Sequence, residues 1–258
     1  MNIQHIYYFN EYFGEYQAYS AKEGKKLSIH EGHRQRLKHR FREEGLDNFE
    51  ELYVLELLLF YCVTRQDTNP LAHRLLDRFG SLSGVLGASA EELEQVEGVG
   101  EHISTFLTLI TQVGRYYQIQ QTEPGKILRT IDQCGNYMVP YFYGRQIETV
   151  FMLCLDAKCK VLRCMKVGEG SVNSAAVPVR RIVEMALNAK ATTVVLAHNH
   201  PSGLAIPSAD DIATTKRVGD ALATVDIVLA DHIVVSKDDF VSITQSNLYV
   251  PNKGSTVH

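Results

Sequence analysis

The sequence predicts a mixed α/β domain preceded by a small all-helical domain. From about residue 30 to residue 120, apolar residues recur at intervals of three and four, and glycines stand at the ends of these runs, as in a series of short helices. Beyond residue 130, apolar runs of strand length alternate with segments of helical spacing. This alternation is typical of a mixed sheet flanked by helices.

Each half is assigned its elements from these patterns. In the first half we predict helices over residues 49–62, 71–79, 91–96 and 102–118. In the second half we predict strands over residues 149–155, 160–167, 192–200 and 227–236, and helices over residues 179–189 and 208–225. The first two strands flank the turn Asp156-Ala157-Lys158 and are expected to form a hairpin.

The domain boundaries follow from changes in composition along the chain. The first residues are rich in Tyr and Phe among polar residues and show no domain of their own, and a short stretch with Pro124 and Gly125 resembles a linker. We therefore predict an aromatic extension at residues 1–28, a helical domain at residues 29–120, a linker at residues 121–129 and an α/β domain at residues 130–251.

Composition excludes several classes of protein. A net charge of −4 over 258 residues argues against a general polyanion binder, so any nucleic-acid contact requires a local basic patch. Apolar runs stay shorter than the ~18 residues of a membrane helix, and the N-terminal residues do not resemble a secretory signal. The five cysteines are odd in number and lie in apolar surroundings, as expected of reduced thiols. We expect a cytoplasmic protein without disulfides.

One group of residues in the second half predicts a metal site. The apolar strand over residues 192–197 leads into His198 and His200, which lie on one face because side chains two apart on a strand point the same way. After a loop containing two prolines, Ser208 is placed to cap a helix, and Asp211 falls in its first turn, where a carboxylate is favoured. Two imidazoles and one carboxylate are ligands that zinc accepts.

Three protein ligands leave the fourth tetrahedral position to water, which is the arrangement of a catalytic zinc site. A zinc ion brings the pKa of such a water from ~16 towards ~7 and polarises a carbonyl group. The alternative is structural: a pair of histidines at a strand end can be satisfied polar residues, and Ser208 with Asp211 can be a helix cap alone. The combination at fixed spacing favours the metal site.

The spacing His198-x-His200, seven residues, Ser208, two residues, Asp211 resembles the JAMM motif of MPN+ metalloproteases. The chain also resembles the bacterial RadC branch of that group, through the longer strings His198-Asn199-His200-Pro201-Ser202-Gly203, Pro207-Ser208 and Asp231-His232. This resemblance extends over about residues 30 to 250. The resemblance implies cytidine-deaminase-like layering and a Zn²⁺-dependent peptidase or isopeptidase acting on a protein or peptide. It implies Ser208 as the residue that helps stabilise the tetrahedral intermediate.

The general base is where the chain departs from the resemblance. JAMM hydrolases use a glutamate from an earlier strand, and Lys166 occupies the position where RadC-like chains usually place it. Glu169, between two glycines that permit a bulge, is our first candidate for the base, and Glu184 is the second. Strict strand alternation would set positions 166 and 169 on opposite faces. A site that binds metal but hydrolyses poorly is the third alternative.

Two residues of the last predicted strand are candidates for the outer part of the site. Asp231 can accept the second ring N–H of a ligating histidine, or can be a hydrogen-bonded strand terminus. His232 as a fourth ligand is less favoured, because it would close the catalytic position.

Two segments of the helical half are candidate DNA contacts. Residues 94–101 have the pattern of a helix-hairpin-helix motif, whose turn exposes backbone N–H groups to a phosphate, although three glutamates surround it. Residues 33–42 carry five Lys or Arg on a predicted helix, where a solvated amphipathic face is the alternative. These segments, together with the DNA-repair label that the resemblance to RadC proteins brings, give the competing function: a DNA-associated accessory or repair-related protein with a structural or vestigial metal site.

Overall fold

The computed structural model describes residues 29–252 apart from residues 65, 123–124, 171–177, 202–203 and 237–238. The chain divides into two compact units between Leu109 and Ile110.

The first unit is helical, as the spacing of apolar residues predicts. Its helices are α1 (Ile29–Glu44), α2 (Glu51–Leu59), α3 (Asn69–Phe79), α4 (Leu82–Gly87), α5 (Ala90–Glu94) and α6 (Glu101–Gln120), the last of which continues into the second unit. Local chemistry sets several ends: Gly80 closes α3 with a left-handed φ of 79°, and Ser89 begins α5 with a capping box to Glu92. Among the described residues, no helix has the length and hydropathy that a membrane crossing requires.

The core of the first unit is a cluster of leucines with the predicted hairpin packed into it. Its fully buried leucines are Leu55, Leu59, Leu75, Leu93 and Leu107. Val96 and Val99, on either side of the hairpin turn, are buried in the same cluster. The hairpin turn is therefore part of the packed core of the first unit.

The second unit is built on one mixed sheet. Its elements are α7 (Ile131–Met138), a 3-10 turn (Val139–Phe142), β1 (Thr149–Leu155), β2 (Val161–Glu169), α8 (Val179–Asn188), β3 (Thr193–Asn199), α9 (Ala209–Ala223), β4 (Val228–Ser236) and β5 (Asp239–Ser242). The strand order is β2-β1-β3-β4-β5, with β3 and β4 parallel and the other neighbours antiparallel. The predicted fold class is confirmed, whereas α7 and β5 were not predicted because both are short and partly polar.

Helices cover both faces of the sheet. On β1, Val150 and Met152 pack with α8 and α9, whereas Phe151 and Leu153 pack with α7 and the 3-10 turn. Burial on both faces explains why β1 and β3 are almost continuously apolar. On β3, the residues two and four positions before His198 belong to the α8 and α9 side. By alternation, His198 faces α9.

The predicted hairpin joins β1 to β2. Asp156 closes its turn, since its carboxylate accepts the backbone N–H groups of Lys158 and Lys160 at 2.8 and 2.9 Å. Cys159 lies in the same turn with a φ of 60°. All five cysteines are free thiols, and burial raises the pKa of Cys154 to about 11.

Gly219 of α9 allows Tyr249 to pack closely on the helix that carries Asp211. A Cβ atom at position 219 would lie 2.2 Å from the Tyr249 hydroxyl oxygen and 3.0 Å from its Cζ. Gly219→Ala gains about 1 kcal/mol of helix propensity, but overpacking costs about 1–3 kcal/mol. We expect a net loss of about 1 kcal/mol in the free energy of urea unfolding.

The double variant Gly219→Ala with Tyr249→Phe is the control, because it removes the shorter of the two contacts. Its loss should be smaller than the sum of the two single losses. A Gly219→Ala protein at least as stable as the wild type would contradict this packing.

Candidate metal centre

The end of β3 and the start of α9 bring the three predicted ligands together. His198 Nε2 lies 3.0 Å from His200 Nε2 and 3.2 Å from Asp211 Oδ1. His200 Nε2 lies 3.6 Å from Asp211 Oδ2. His198 and Asp211 are buried, and His200 is partly exposed. The group thus sits at the edge of the core with access to solvent on the His200 side.

These separations fit a cation at the centre of the group. Zinc bonds of ~2.05 Å in a tetrahedron place neighbouring ligand atoms about 3.3 Å apart. This is close to the 3.0 Å between the two histidine Nε2 atoms and the 3.2 Å between His198 Nε2 and Asp211 Oδ1. Two nitrogens and one carboxylate oxygen are also ligands that zinc prefers.

His200 is oriented by the loop that follows it. Its Nδ1 lies 3.0 Å from the backbone carbonyl oxygen of Leu204. A carbonyl only accepts, so Nδ1 carries the proton and donates it. The lone pair of Nε2 is left facing His198 and Asp211. This arrangement is the usual one for a metal-binding histidine, whose second nitrogen donates to an oxygen.

Ser208 holds the carboxylate of Asp211 in place. The Ser208 backbone N–H and hydroxyl both donate to Asp211 Oδ2, at 2.7 and 2.6 Å, and the Asp211 backbone N–H donates to the hydroxyl at 3.1 Å. This capping box occupies Oδ2 and leaves Oδ1 towards His198. Ser208 therefore begins α9, as predicted, and its role as oxyanion helper stays a prediction.

The electrostatic surroundings keep Asp211 ionised. Burial by itself raises the pKa of this carboxyl group. The hydrogen bond and charge of His198, with the hydrogen bonds from Ser208, outweigh that effect and hold the pKa well below its usual range. An ionised carboxylate is the form that binds a cation.

Behind His198 lies His232, and not Asp231 as one sequence interpretation has it. His198 Nδ1 is 2.8 Å from His232 Nε2. Asp231 is engaged elsewhere: its carboxylate accepts from the Ser242 hydroxyl, the Thr244 backbone N–H at 2.9 Å and the His232 backbone N–H at 2.8 Å. Of the two alternatives for Asp231, the hydrogen-bonded strand terminus is confirmed and the histidine partner is wrong, because three donors from its own strand and the β5 corner take up its oxygens.

His232 is completely enclosed. Burial, followed by the charge of His198, lowers the pKa of His232 to about 3, so the ring is neutral near neutral pH. Its Nε2 approaches the Nδ1 side of His198, away from the Nε2 that faces the other two ligands. It is consequently placed behind a ligand and not at the fourth position.

Glu148 is a functional candidate that sequence reasoning missed. Its carboxylate and the ring nitrogens of His198 and His200 lie within 4.8 Å of one another, and this side chain is partly exposed. Val150 of β1 pairs with His198 of β3 in an antiparallel register, which brings position 148 opposite position 200. No local pattern around Glu148 announces this, because the proximity depends on which strands pair.

Asn199, between the two histidines, fixes the segment that carries Glu148. Its Oδ1 accepts the Thr149 backbone N–H at 2.8 Å, and its Nδ2 donates to the carbonyl oxygen of Ile147 at 3.3 Å. The buried amide thus holds the peptide groups on both sides of Glu148. By bonding to Ile147 and Thr149, the Asn199 side chain fixes the backbone of Glu148 relative to the strand that carries the two histidines.

Glu169 lies at the exposed end of the edge strand β2. Its side chain is about half exposed and forms an ion pair with Lys166. That hydrogen bond and charge lower the pKa of Glu169 below its usual range. The alternation argument that separates positions 166 and 169 is wrong here, because a bulge at Val167 inserts one extra residue between the pairs Val150–Gly168 and Phe151–Lys166.

The second sequence candidate for the base lies on α8. Glu184 is exposed and accepts a hydrogen bond at 2.8 Å from Arg180, one turn earlier. Its role and that of Glu169 in catalysis stay predictions. Residues 202–203 of the RadC-like string lie outside the described residues.

The candidate DNA contacts of residues 33–42 lie on α1, which is helical as predicted. Several of its basic groups stack on aromatic rings of the first unit: Arg34 lies 4.9 Å from the ring centre of Phe60, and Arg40 lies 4.6 Å from that of Phe49. These contacts support packing, and DNA binding by this helix stays a prediction.

The hairpin of residues 94–101 has an equally structural environment. Gly98 has a φ of 94°, and the Arg74 guanidinium donates to the carbonyl oxygen of Glu97 at 3.0 Å. Ser104 donates to the carboxylate of Glu94 at 2.6 Å. Phosphate binding at this turn likewise stays a prediction.

The mixed sheet, the two histidines at the end of its central strand and the aspartate in the first turn of α9 together define an α/β domain with a candidate metal centre. The RadC-like JAB domain family matches residues 128–248, which include every residue of that centre. The UPF0758 protein FN0909 of Fusobacterium nucleatum subsp. nucleatum is 31% identical over 225 residues, covering 84% of this chain and 97% of that protein. The chain belongs to the RadC family, as its His-x-His string predicted.

Ser208→Ala tests whether the helix cap also serves the metal centre. We expect a loss of about 1 kcal/mol in unfolding free energy from the missing cap, and a 10–100-fold weaker affinity for zinc because Asp211 loses its support. Ser89→Ala is the matched control, since Ser89 caps α5 in the first unit with the same capping box.

Chemical unfolding and competition with a chromophoric chelator measure the two effects. Ser89→Ala should lose comparable stability and keep its zinc affinity. Equal zinc affinity in both variants would show that the capping hydroxyl does nothing for the metal ligands.

Proposed function

We propose that this protein is a JAMM-type metallohydrolase that binds Zn²⁺ through His198, His200 and Asp211 and cleaves a peptide or isopeptide bond. The observation that carries this proposal is the convergence of the three side chains: His198 Nε2 lies 3.0 Å from His200 Nε2 and 3.2 Å from Asp211 Oδ1. The partly exposed carboxylate of Glu148 lies beside the two histidines. When bound, zinc lowers the pKa of a water molecule to about 7 and polarises the carbonyl group that is attacked.

Glu148 is the residue that we assign to proton transfer. It accepts a proton from the attacking water and returns it to the leaving nitrogen, a role that requires a carboxylate within hydrogen-bond reach of the reacting atoms. Its position beside His198 and His200 and its partial exposure support this role. Asn199 supports it indirectly, by fixing the peptide groups on either side of Glu148.

Glu169 is less suited to the same role. The ion pair with Lys166 lowers its pKa, and a carboxylate with a lowered pKa is a weaker base. The pair is also half exposed, so the carboxylate lacks the surroundings that raise the pKa of catalytic glutamates. Replacing each glutamate by glutamine in turn distinguishes the two assignments of the base.

The metal is tested first. We expect about one zinc per chain in purified protein by elemental analysis, in keeping with a single three-ligand site. His198→Ala and Asp211→Asn should weaken zinc affinity by more than the 10–100-fold typical of losing an outer-shell partner. His73→Ala, at an exposed histidine of the first unit, is the control and should leave affinity unchanged. Wild-type protein that binds no more zinc than His198→Ala would refute the metal site.

The base is tested with Glu148→Gln and Glu169→Gln, assayed on a library of peptides and isopeptide-linked peptides. Removing a general base should slow cleavage by about 10²–10⁴-fold. We expect this loss in Glu148→Gln, with zinc content retained, and near wild-type rates in Glu169→Gln. The reverse result would assign the base to Glu169. Zinc-loaded wild type that cleaves nothing would favour the DNA-associated accessory protein.

A further inference from the structure

The solvent-facing side of helix α6 is apolar over the second half of the helix. Four large apolar side chains there are exposed by 51 to 66%: Leu109, Val113, Tyr116 and Tyr117. They follow one another at intervals of four, three and one residues, so they form a single stripe about 12 Å long on one side of the helix. We call this stripe the α6 apolar face.

This part of α6 lacks the charges that usually mark the solvent side of a helix. Among residues 109–120, all of which the structure describes, Arg115 is the only charged one. Its guanidinium donates to the backbone carbonyl oxygen of Tyr143 at 3.0 Å and to Gln112 Oε1 at 2.8 Å. A helix side that exposes aromatic rings and carries no charge is typical of a surface that another element covers.

The size of the α6 apolar face indicates which kind of partner fits it. Two tyrosines of about 200 Å² each and two aliphatic side chains, all at least half exposed, leave roughly 400 Å² uncovered. A stable interface between separate proteins buries about 800 Å² on each side. A segment tethered to the same chain needs less, because its linker gives it an effective concentration on the order of 1 mM. The face therefore favours a segment of this chain over a second copy.

The aromatic extension of residues 1–28, which lies outside the described residues, has the composition that this face requires. Between positions 7 and 19 it contains seven Tyr or Phe residues. The other segments outside the described residues contain no Tyr or Phe. The extension is therefore the segment of this chain whose side chains match the α6 apolar face.

The order of residues in the extension predicts an apolar stripe of similar length. Apolar residues recur there at intervals of three and four: Ile6, Phe9, Phe13 and Tyr16. In a helix they would share one side over about 15 Å. At about 100° per residue, Glu11 and Glu15 fall on the opposite side. The sequence thus predicts a stripe that can pack on an uncharged surface while both carboxylates stay in water.

The extension is also long enough to reach the face. It ends where α1 begins, at Ile29, and Leu109 at the start of the face belongs to the same compact unit as α1. Residues 17–28 remain as a connection and can span up to about 40 Å when extended. A unit of this size is about 30 Å across. The connection therefore suffices wherever α1 begins on that unit.

We propose that the aromatic extension packs through Ile6, Phe9, Phe13 and Tyr16 onto the α6 apolar face of its own chain. The contact buries apolar surface of both segments, which is the force that holds them together. It involves no residue of the candidate metal centre, so this inference is independent of the proposed function.

Photo-cross-linking from position 117 tests this contact in the full chain. Tyr117 is replaced by p-benzoylphenylalanine, which keeps an aromatic ring at a position that is 65% exposed. We expect a cross-linked product with the mass of one chain, in which mass spectrometry places the link within residues 1–20. A mixture of isotope-labelled and unlabelled protein shows whether a link joins two chains.

Two double variants of the cross-linking protein test which side of the extension makes the contact. Phe9→Ser with Phe13→Ser removes two rings of the predicted stripe. The yield of the link should fall at least 10-fold, because burying one such ring shifts the docking equilibrium by about 10-fold or more. Tyr7→Ser with Tyr8→Ser is the matched control, since the same periodicity places these rings off the stripe, and it should leave the yield unchanged. Circular dichroism checks that each variant keeps its helical content.

The outcomes decide what covers the α6 apolar face. A link within one chain to residues 1–20, lost in the Phe9 and Phe13 variant and kept in its control, would support the proposal. Links that join two chains would show that a second copy covers the face and would overturn it. Absence of any link to the extension, or an equal loss in the two double variants, would overturn it as well.

Discussion

The candidate site depends on one contact, the approach of His198 at the end of β3 to Asp211 in the first turn of α9. Their ring nitrogen and carboxylate oxygen are 3.2 Å apart. The sheet provides one partner and the helix the other, so the site exists only if the strand ends and the helix begins at these residues. The capping box of Ser208 and the pairing of β3 with both neighbours fix those two boundaries.

How much of this site the sequence predicts depends on how far apart its parts lie in the chain. His198, His200, Ser208 and Asp211 fall within one strand, one loop and one helix start, so strand periodicity and capping chemistry suffice to bring them together. The helical first half and the mixed sheet follow from periodicity in the same way. These features could be predicted because each depends on residues that are close together in the sequence.

Strand pairing joins to the site Glu148, which sequence reasoning missed, and His232, whose contact with His198 it did not predict. His232 meets His198 because β4 runs parallel to β3, with His232 opposite Leu196. Glu148 meets His200 because β1 runs antiparallel on the other side. Neither contact can be predicted from the spacing of residues along the sequence. The bulge at Val167, which breaks the alternation around Glu169, is also set by the partner strand.

A divalent cation beside the N-terminus of a helix meets an unfavourable electrostatic field, since that end carries a partial positive charge. The magnitudes resolve the conflict. The dipole contributes about 0.3–1 kcal/mol, whereas structural zinc sites bind with about 10–16 kcal/mol. Asp211 also reduces the unfavourable contribution of the helix dipole, because one of its oxygens accepts the capping hydrogen bonds while the other faces His198. An aspartate at this position can therefore stabilise the helix and bind a cation at once.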